Sequence, residues 1–400
     1  MKTRIEDLAL FGGEPAFREP LHVGRPNIGD RARLTGRFNR ILDSRWLTNA
    51  GPFVREFEEK IAEITGAKHC IAMCNGAVAL EIAIRALGME DEVLVPSFTF
   101  IATAHALQWQ AIRPVFCDID PVTHNVDPAD VERKITPRTT GIIGVHVWGN
   151  PCAVEALQAI AARHRLKLLY DAAHAFGCSH GGQMVGNFGD AEVYSFHATK
   201  FINAFEGGAV VTNHDELATR IRQMKNFGFI GYDNVVYVGT NGKMSEISGA
   251  MGTTSIESMD DFIAVNRRNY ARYRAAMADV PGLRFIECSL AERRNFQYVV
   301  LEVDAARYGL SRDRLLKILH AENVLARRYF YPGCHRMQPY RTLYPDAGAT
   351  LPMTAQACDQ VLVLPTGTSM SEDTIDAVCA IMRLAHNHAE RLAAGSPDST

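Results

Sequence analysis

The sequence predicts an α/β fold built on a mostly parallel, doubly wound sheet. Between residues 68 and 212, near-continuous apolar segments recur near residues 70, 93, 115, 142, 168, 193 and 210. Such segments are typical of strands buried on both faces, and amphipathic stretches such as 153–163 predict helices between many of them. Ligands of such sheets bind beyond the carboxyl ends of the strands. We therefore expect a site where those ends meet.

The rest of the chain predicts a smaller second domain and an arm. A length of 400 residues and a hydrophobic fraction of 47% are sufficient for one large and one small domain. Irregular, glycine-containing sequence at the beginning predicts an arm that lies across the main body. In order, we predict an N-terminal arm (1–30), a large α/β domain (31–255), a small α+β domain (256–393) and a tail (394–400).

Periodicity and capping predict the elements outside the central pattern. Residues 32–42 and 52–65 predict helices, and the second begins at Pro52, as helix starts favour. A long loop at 228–242 is predicted to be functional, because long ordered loops in compact domains usually are. The other predicted elements are helices at 214–227, 311–322 and 371–390, long helices within 244–277, and strands near residue 285 and at 297–303.

Composition excludes several classes of partner. A net charge of −3 argues against a nucleic acid or a membrane surface held by bulk electrostatics. The nine cysteines are scattered, odd in number and without a CxxC pair, which favours free thiols in a reducing cytoplasm. No apolar run approaches the length of a membrane span, and no signal peptide is evident. The expected localisation is cytoplasmic.

Lys200 lies in a polar turn between a predicted strand at 191–196 and another at 209–212. A lysine held between two buried strands loses hydration, so its pKa falls and its amine becomes a nucleophile toward a carbonyl. A lone lysine in a strand connection is more often an ordinary surface residue. Asp171 and the turn Asn75-Gly76-Ala77, described next, favour the interpretation of Lys200 as a reactive amine.

Asp171 ends an apolar strand that begins near residue 166. A buried carboxylate needs a cationic partner, and the protonated ring nitrogen of pyridoxal phosphate (PLP) is one. PLP enzymes combine a Schiff-base lysine with an aspartate at this nitrogen. Alone, Asp171 is equally compatible with a helix N-cap or a metal ligand; together with Lys200 it favours the cofactor, and no metal site is predicted.

The turn Asn75-Gly76-Ala77 joins a predicted strand at 70–73 to a helix at 78–87. Free N–H groups and the positive end of a helix dipole at such a turn suit a phosphate. Many strand-to-helix turns use Asn-Gly, so the turn is informative only as the third part of one site.

Taken together, these residues resemble the DegT/StrS group of sugar-nucleotide aminotransferases, which are fold-type I PLP enzymes, from about residue 11 to about 384. The resemblance is carried by 46–49 with 51–52 and 55–58, by 96–100, by 171–174, by 195–200 with 206–208, and by 241 with 244–246. Segments 44–47, 195–200 and 331–335 are most similar to members that aminate C4 of dTDP-4-keto-6-deoxyglucose. The resemblance implies a nucleotide-sugar substrate, L-glutamate as amino donor and a homodimer with shared active sites.

The resemblance also implies roles for individual residues. Lys200 and Asp171 would be catalytic. Cofactor contacts are implied for Asn75, Gly76, Ala77, Phe100, Asp171, His174, Ser195, Lys200 and, from the neighbouring subunit, Asn241. Substrate contacts are implied for Trp46, Thr48, His197, Lys243, Tyr331 and His335.

Several of these residues have an ordinary structural alternative. Phe100 would usually pack in a core, His197 is better explained by a structural hydrogen bond than by a proton relay, and a plain surface loop at 331–335 is nearly as well supported. His174 stands where many members have glutamine, which adds a source of pH dependence. After Asn241 the family has an aromatic residue and then arginine, whereas this chain has Gly242 and Lys243.

Three other functions remain to be compared with a C4 aminotransferase. A 3-keto or a GDP- or UDP-linked sugar is an alternative substrate within the family. A related PLP sugar dehydratase is disfavoured, because those relatives replace the lysine by histidine. A non-catalytic regulator that binds PLP or sugar without turnover would keep the same fold.

Overall fold

The computed structural model describes residues 2–287 and 291–394. In this part of the chain the strands, in order, are β1 (Leu21–His22), β2 (His69–Met73), β3 (Glu92–Pro96), β4 (Arg113–Cys117), β5 (Thr139–Val145), β6 (Lys167–Asp171), β7 (Ser179–His180), β8 (Gln183–Met184), β9 (Ala191–Ser195), β10 (Gly208–Thr212), β11 (Phe229–Ile230), β12 (Asn234–Val235), β13 (Leu283–Phe285), β14 (Val299–Val303), β15 (Val324–Leu325) and β16 (Val361–Leu364). The α-helices are α1 (Arg31–Ser44), α2 (Pro52–Thr65), α3 (Gly76–Leu87), α4 (Ile101–Gln108), α5 (Pro128–Arg133), α6 (Val154–His164), α7 (Asp215–Met224), α8 (Glu246–Glu257), α9 (Met259–Met277), α10 (Ala305–Tyr308), α11 (Arg312–Ala321), α12 (Tyr340–Leu343), α13 (Pro352–Gln360), α14 (Glu372–Asn387) and α15 (Ala389–Ala394).

A seven-stranded sheet forms the centre of the protein, in the order β2-β10-β9-β6-β5-β3-β4. The pairs β3–β4, β3–β5, β5–β6 and β6–β9 are parallel, whereas β10 runs antiparallel to both β9 and β2. All seven strands predicted between residues 68 and 212 are present. The prediction of a mostly parallel α/β sheet is therefore confirmed, with one reversed strand inside it.

Apolar side chains cover both faces of this sheet, as a doubly wound architecture requires. On one face, α2, α6 and the start of α9 pack over Leu168, Tyr194 and Val211. On the other, α3, α4 and α7 pack over Leu169 and Val193. Burial on both faces explains why these strands appear in the sequence as continuous apolar runs.

A second sheet, antiparallel and in the order β13-β14-β16, packs against α9, α11 and α14. Strands β13 and β14 were predicted, whereas β16 and α13 were not. Residues from the predicted arm join this core, because Ile5 and Leu8 are buried in it and β1 pairs in parallel with β15. Conversely, the segment from Cys334 to Leu351 packs under the large sheet.

The predicted long loop at 228–242 contains the small hairpin β11–β12 and exposes apolar side chains, including Ile230, Val235 and Val238. Of the predicted tail, residue 394 ends α15, and 395–400 lie outside the described residues. Over the described ranges, no helix combines the length and apolar character needed to cross a membrane.

Candidate active site

A cavity of about 490 Å³ opens beyond the carboxyl ends of the parallel strands. Asp171 and Ser195 are the last residues of β6 and β9, and the turns after β2 and β3 deliver Asn75 and Phe100. Residues from chain segments far apart in sequence therefore meet at one edge of the sheet. The sequence-predicted residues that line this cavity are Asn75, Gly76, Ala77, Phe100, Asp171, His174, Ser195, His197 and Lys200.

Asp171 presents a buried carboxylate to the cavity, with 6% of the residue exposed. Thr103 donates its hydroxyl to Oδ2 at 2.8 Å, and the backbone N–H of Ala173 donates to Oδ1 at 3.1 Å. Burial raises the pKa of this carboxyl, while the two hydrogen bonds and the charge of Lys200 oppose the rise. A cation bound next to the carboxylate would therefore stabilise its ionised form.

Lys200 is carried by the connection between the adjacent antiparallel strands β9 and β10. The turn is closed by hydrogen bonds from Phe196 N to Gly207 O and from Lys200 N to His197 O, both at 2.8 Å. The amine Nζ lies 3.4 Å from the hydroxyl of Tyr298. Burial lowers the pKa of Lys200 from 10.5 to about 8, with Asp171 opposing the change. The shift increases the fraction of neutral amine at pH 7 on the order of a few hundredfold.

The turn before α3 is closely packed against Ser195 and Gly208. Asn75 caps the helix by accepting a hydrogen bond from Val78 N at 2.9 Å. A Cβ added to Gly76 would lie 3.0 Å from Ser195 Cβ, and one added to Gly208 would lie 2.5 Å from the carbonyl of Asn75. The free N–H groups at this helix start and the hydroxyl of Ser195 thus face one corner of the cavity.

Phe100 and His174 provide ring surfaces in the cavity. Phe100 is 59% exposed, so it is not a core residue. His174 is buried, stacks on Trp148 and Phe330, and accepts a hydrogen bond from Trp148 N at Nδ1. Its Nε2 therefore carries the proton in the neutral ring. Burial lowers the pKa of His174 well below its ordinary value, so this side chain does not supply the pH dependence that its identity suggested.

His197 makes local hydrogen bonds at the edge of the cavity. Its Nδ1 lies 2.9 Å from Thr199 Oγ1 and 3.2 Å from Thr199 N, and its Nε2 lies 3.5 Å from a carboxylate oxygen of Glu206. This arrangement agrees with the structural alternative considered for His197.

Six predicted residues do not line the cavity. Trp46 and Thr48 are exposed, and the Trp46 ring lies beside Arg55. Asn241 forms an isolated antiparallel β-bridge with Asn226. The amine of Lys243 lies 4.6 Å from the Phe227 ring centroid. Tyr331 lines an adjoining groove, where Arg328 lies 4.2 Å over its ring.

His335 lies away from the cavity, because the segment after residue 333 folds back against the large sheet. Its ring is buried, and Nδ1 lies 2.7 Å from Ser97 Oγ. This position favours a structural role for His335 over the sugar contact that the resemblance implied.

Among the residues that were not singled out from the sequence, Thr103 is buried behind the cavity and donates to Asp171, and three others line the cavity wall. Thr103 follows Phe100 by three positions and so lies on the same side of α4, a spacing that the sequence does contain. Tyr298, Arg327 and Tyr329 come from the region of the second sheet. No local pattern marks these three, because only the tertiary fold brings them to Lys200.

The shape and chemistry of the cavity fit PLP. A buried carboxylate that lacks a strong cation, an amine of lowered pKa and a close-packed helix start match the ring nitrogen, the aldehyde and the phosphate of this cofactor. The fold and the cavity together define the class of fold-type I PLP-dependent transferases.

Comparison with known proteins identifies the group within this class. A sequence model described as the DegT/DnrJ/EryC1/StrS aminotransferase family matches residues 30–383. The chain belongs to this family, and the resemblance inferred from its motifs is confirmed. It is accordingly a PLP-dependent aminotransferase.

Several relatives cover almost the whole chain. The dTDP-4-amino-4,6-dideoxy-D-glucose transaminase of Shigella dysenteriae is 37% identical over 92% of this chain and 99% of its own length. The protein of the same name from Escherichia coli is 35% identical over 88% of this chain and 95% of its own length. A crystal structure of DesI in the presence of its TDP-sugar product is 49% identical, with a TM-score of 0.93 over 98% of this chain and 99% of that chain.

Proposed function

We propose that the protein transfers an amino group from L-glutamate to a nucleotide-linked keto-deoxy sugar. The proposed acceptor is dTDP-4-keto-6-deoxyglucose, which receives the amino group at C4. The observation that carries the proposal is the presence of Lys200 and Asp171 in one cavity, each with a pKa that responds to the charge of the other. The choice of sugar is supported by the two transaminases of 37% and 35% identity and by the TDP-sugar product named for the DesI structure.

Residues of this chain would hold the cofactor at three points. Lys200 would bind the aldehyde covalently, and Asp171 would pair with the ring nitrogen. Asn75, Gly76, Ala77 and Ser195 would bind the phosphate at the start of α3. Phe100 would lie against the cofactor ring and fix its plane. His174, whose Nδ1 accepts from Trp148 N, would donate from Nε2 to the oxygen on the cofactor ring.

The bound cofactor supplies an aldehyde that carries the amino group between the two substrates and a ring that withdraws electrons from the adjacent carbon. Lys200 acts as the acid and base of the reaction. With a pKa of about 8, its amine is available to take the proton from the α-carbon of the donor and, in the other half-reaction, to deliver one to the sugar carbon. Tyr298 lies within hydrogen-bonding distance of this amine and would orient it.

The protein would act as a homodimer whose subunits complete each other's sites. Asn241 and Lys243 do not line their own cavity, and the loop between α7 and α8 exposes Ile230, Val235 and Tyr232, which is 96% exposed. A partner subunit that covers these side chains would receive Asn241 at its phosphate site. Trp46 and Thr48, which are exposed in one chain, would face substrate in the same way, and Tyr331 would contact it from the adjoining groove.

A reducing cytoplasm is the proposed location. Seven of the cysteines that the structure describes carry free thiols: Cys70, Cys74, Cys117, Cys152, Cys334, Cys358 and Cys379. Burial raises the pKa of most of these thiols, including those of Cys117 and Cys334 to about 12, which keeps them protonated and unreactive.

A substrate panel tests the function directly. Purified holoenzyme is incubated with L-glutamate and a set of 3-keto and 4-keto deoxysugars linked to dTDP, UDP or GDP, and both 2-oxoglutarate and amino sugar are measured by mass spectrometry. We expect amination of the dTDP-linked 4-keto sugar, and none with Lys200→Ala. Faster amination of a 3-keto or a GDP-linked sugar would replace the proposed substrate, and turnover by Lys200→Ala would remove the proposed role of Lys200.

A further inference from the structure

Asn27 is a buried residue of the N-terminal arm that reaches the turn carrying Lys200. Before this point the arm is tied to the region of the second sheet, because the buried carboxylate of Glu322 accepts from two of its backbone N–H groups and β1 pairs with β15. Gly24 then packs on Thr199, where an added Cβ would lie 3.0 Å from the threonine Cβ. The arm is therefore held at Glu322 on one side and at the Lys200 turn on the other.

The side chain of Asn27 joins two separate parts of the molecule. Its Nδ2 donates to Phe201 O at 3.1 Å, and its Oδ1 accepts from the N–H and the hydroxyl of Thr368 at 3.2 and 2.8 Å. Its own carbonyl accepts from Asn203 Nδ2 at 2.9 Å. Asn27 is only 3% exposed, so water competes little with these bonds. The amide thus connects the Lys200 turn to the segment that follows β16.

Phe201, the residue after Lys200, is held from two sides. Its N–H donates to Gln297 Oε1 at 3.2 Å, and its carbonyl accepts from Asn27. Gln297 directly precedes Tyr298, whose hydroxyl lies 3.4 Å from the Lys200 amine. Both polar groups of one main-chain residue are therefore bonded to buried side chains from outside the turn, and these side chains fix where Lys200 begins.

We propose that Asn27 is a positioning residue for Lys200. It lies behind the cavity wall and acts through the main chain of Phe201. Without the amide, this carbonyl would lose its donor, and the turn would shift or admit water to satisfy it. A displaced and more hydrated Lys200 would lose part of the burial that lowers its pKa and would transfer protons more slowly. The inference rests on the proposed function, because it takes Lys200 as the acid and base of the reaction.

The test measures the titration of Lys200 in the full-length chain before PLP is added, from the pH dependence of its acetylation. For Asn27→Ala we expect the midpoint to rise by about one pH unit from a value near 8. In the loaded enzyme, kcat should fall about 10-fold to 100-fold, while the KM for L-glutamate stays within about twofold of the parent value. The titratable groups that face Lys200 are unaltered in this variant: Asp171, His174, Tyr298 and Tyr329.

Asn125→Ala is the matched control. Asn125 is also 3% exposed, and its amide bonds a separate loop through three backbone groups, at residues 147, 150 and 151. The control should lower Tm, as Asn27→Ala does, but keep the Lys200 midpoint near pH 8. Thr368→Val removes only the hydroxyl that anchors the Asn27 amide, so it should raise the midpoint by a smaller amount.

A midpoint that stays near pH 8 in folded Asn27→Ala would overturn the inference, and the same result in Thr368→Val would do so if Asn27→Ala does not fold. An equal rise in Asn125→Ala would also overturn it, because any lost buried amide would then hydrate Lys200. Failure of the unaltered enzyme to release 2-oxoglutarate from L-glutamate would instead refute the proposed function. The two failures are distinguishable, since the Lys200 midpoint is measured without substrate.

Discussion

The hydroxyl of Thr103 is predicted to set the acid limit of catalysis by keeping Asp171 ionised. Thr103 is fully buried and donates to Asp171 Oδ2 at 2.8 Å. Because its single hydrogen goes to Asp171, the neighbouring Thr99, at 3.0 Å, must donate its own hydrogen to Thr103. Thr103→Val keeps the shape of the side chain but leaves one carboxylate oxygen without its side-chain donor.

The expected size follows from the charge of the acceptor. A hydrogen bond to a charged group contributes about 1.5–3 kcal/mol, and about 1.4 kcal/mol corresponds to one pKa unit. The pKa of Asp171, which burial already raises, should rise further by about 1–2 units. The acid limb of the pH profile should shift upward by the same amount, and kcat/KM below that limb should fall about 10-fold to 100-fold.

The assay is the rate of 2-oxoglutarate release from L-glutamate in a single turnover between pH 5 and pH 9. Thr253→Val is the matched control, because Thr253 is equally buried but its hydroxyl has no hydrogen-bond partner in the described structure. That variant should keep the parent profile. An acid limb of Thr103→Val that coincides with the parent's would refute the proposed effect of Thr103 on Asp171.

Two further predictions concern the lysine and the phosphate corner. In the protein freed of its cofactor, Lys200 should be acetylated with a midpoint near pH 8, because burial lowers its pKa to about 8. Ordinary lysines titrate near pH 10.4. Mass spectrometry of the modified peptide measures the midpoint, and a value near 10 would contradict the prediction. Gly208→Ala should lower the free energy of unfolding by about 1–3 kcal/mol and weaken PLP binding, because its Cβ would lie 2.5 Å from the carbonyl of Asn75. Thermal unfolding with and without PLP checks this, with Gly88→Ala, where the added Cβ meets no atom but the φ of +72° adds strain, as a comparison for loss of glycine without a clash. An unchanged Tm for Gly208→Ala would show that the turn yields easily.

The central sheet and one side of the cavity were predictable because their signals are local. Buried parallel strands leave continuous apolar runs, and residues just after such runs meet at one edge, which placed Asn75, Asp171 and Lys200 together. The other side of the cavity was not predictable in this way. Tyr298 and Arg327 come from a part of the chain about a hundred residues beyond Lys200, and only packing between the two sheets brings them to it.

Burial also decided cases that residue type left open. Phe100 has the composition of a core residue but is mostly exposed in the cavity, whereas His335 resembles a binding residue but is enclosed beside Ser97. His174 has the side chain of a pH sensor, yet its surroundings keep it neutral. In each case the sequence identifies the chemical group, whereas the exposure of that group to solvent depends on the whole fold.

The two ends of the cavity are held by different sheets, which affects how substrate selectivity can change during evolution. The turn that holds Lys200 joins strands hydrogen-bonded to each other within the large sheet, so insertions there would disrupt the pairing of β9 with β10. Arg327 and Tyr329 belong to a connecting segment attached to β16 of the other sheet. Mutation can therefore alter the Arg327 end of the cavity while the Lys200 end stays unchanged, so one fold can acquire different selectivities without rebuilding its central sheet.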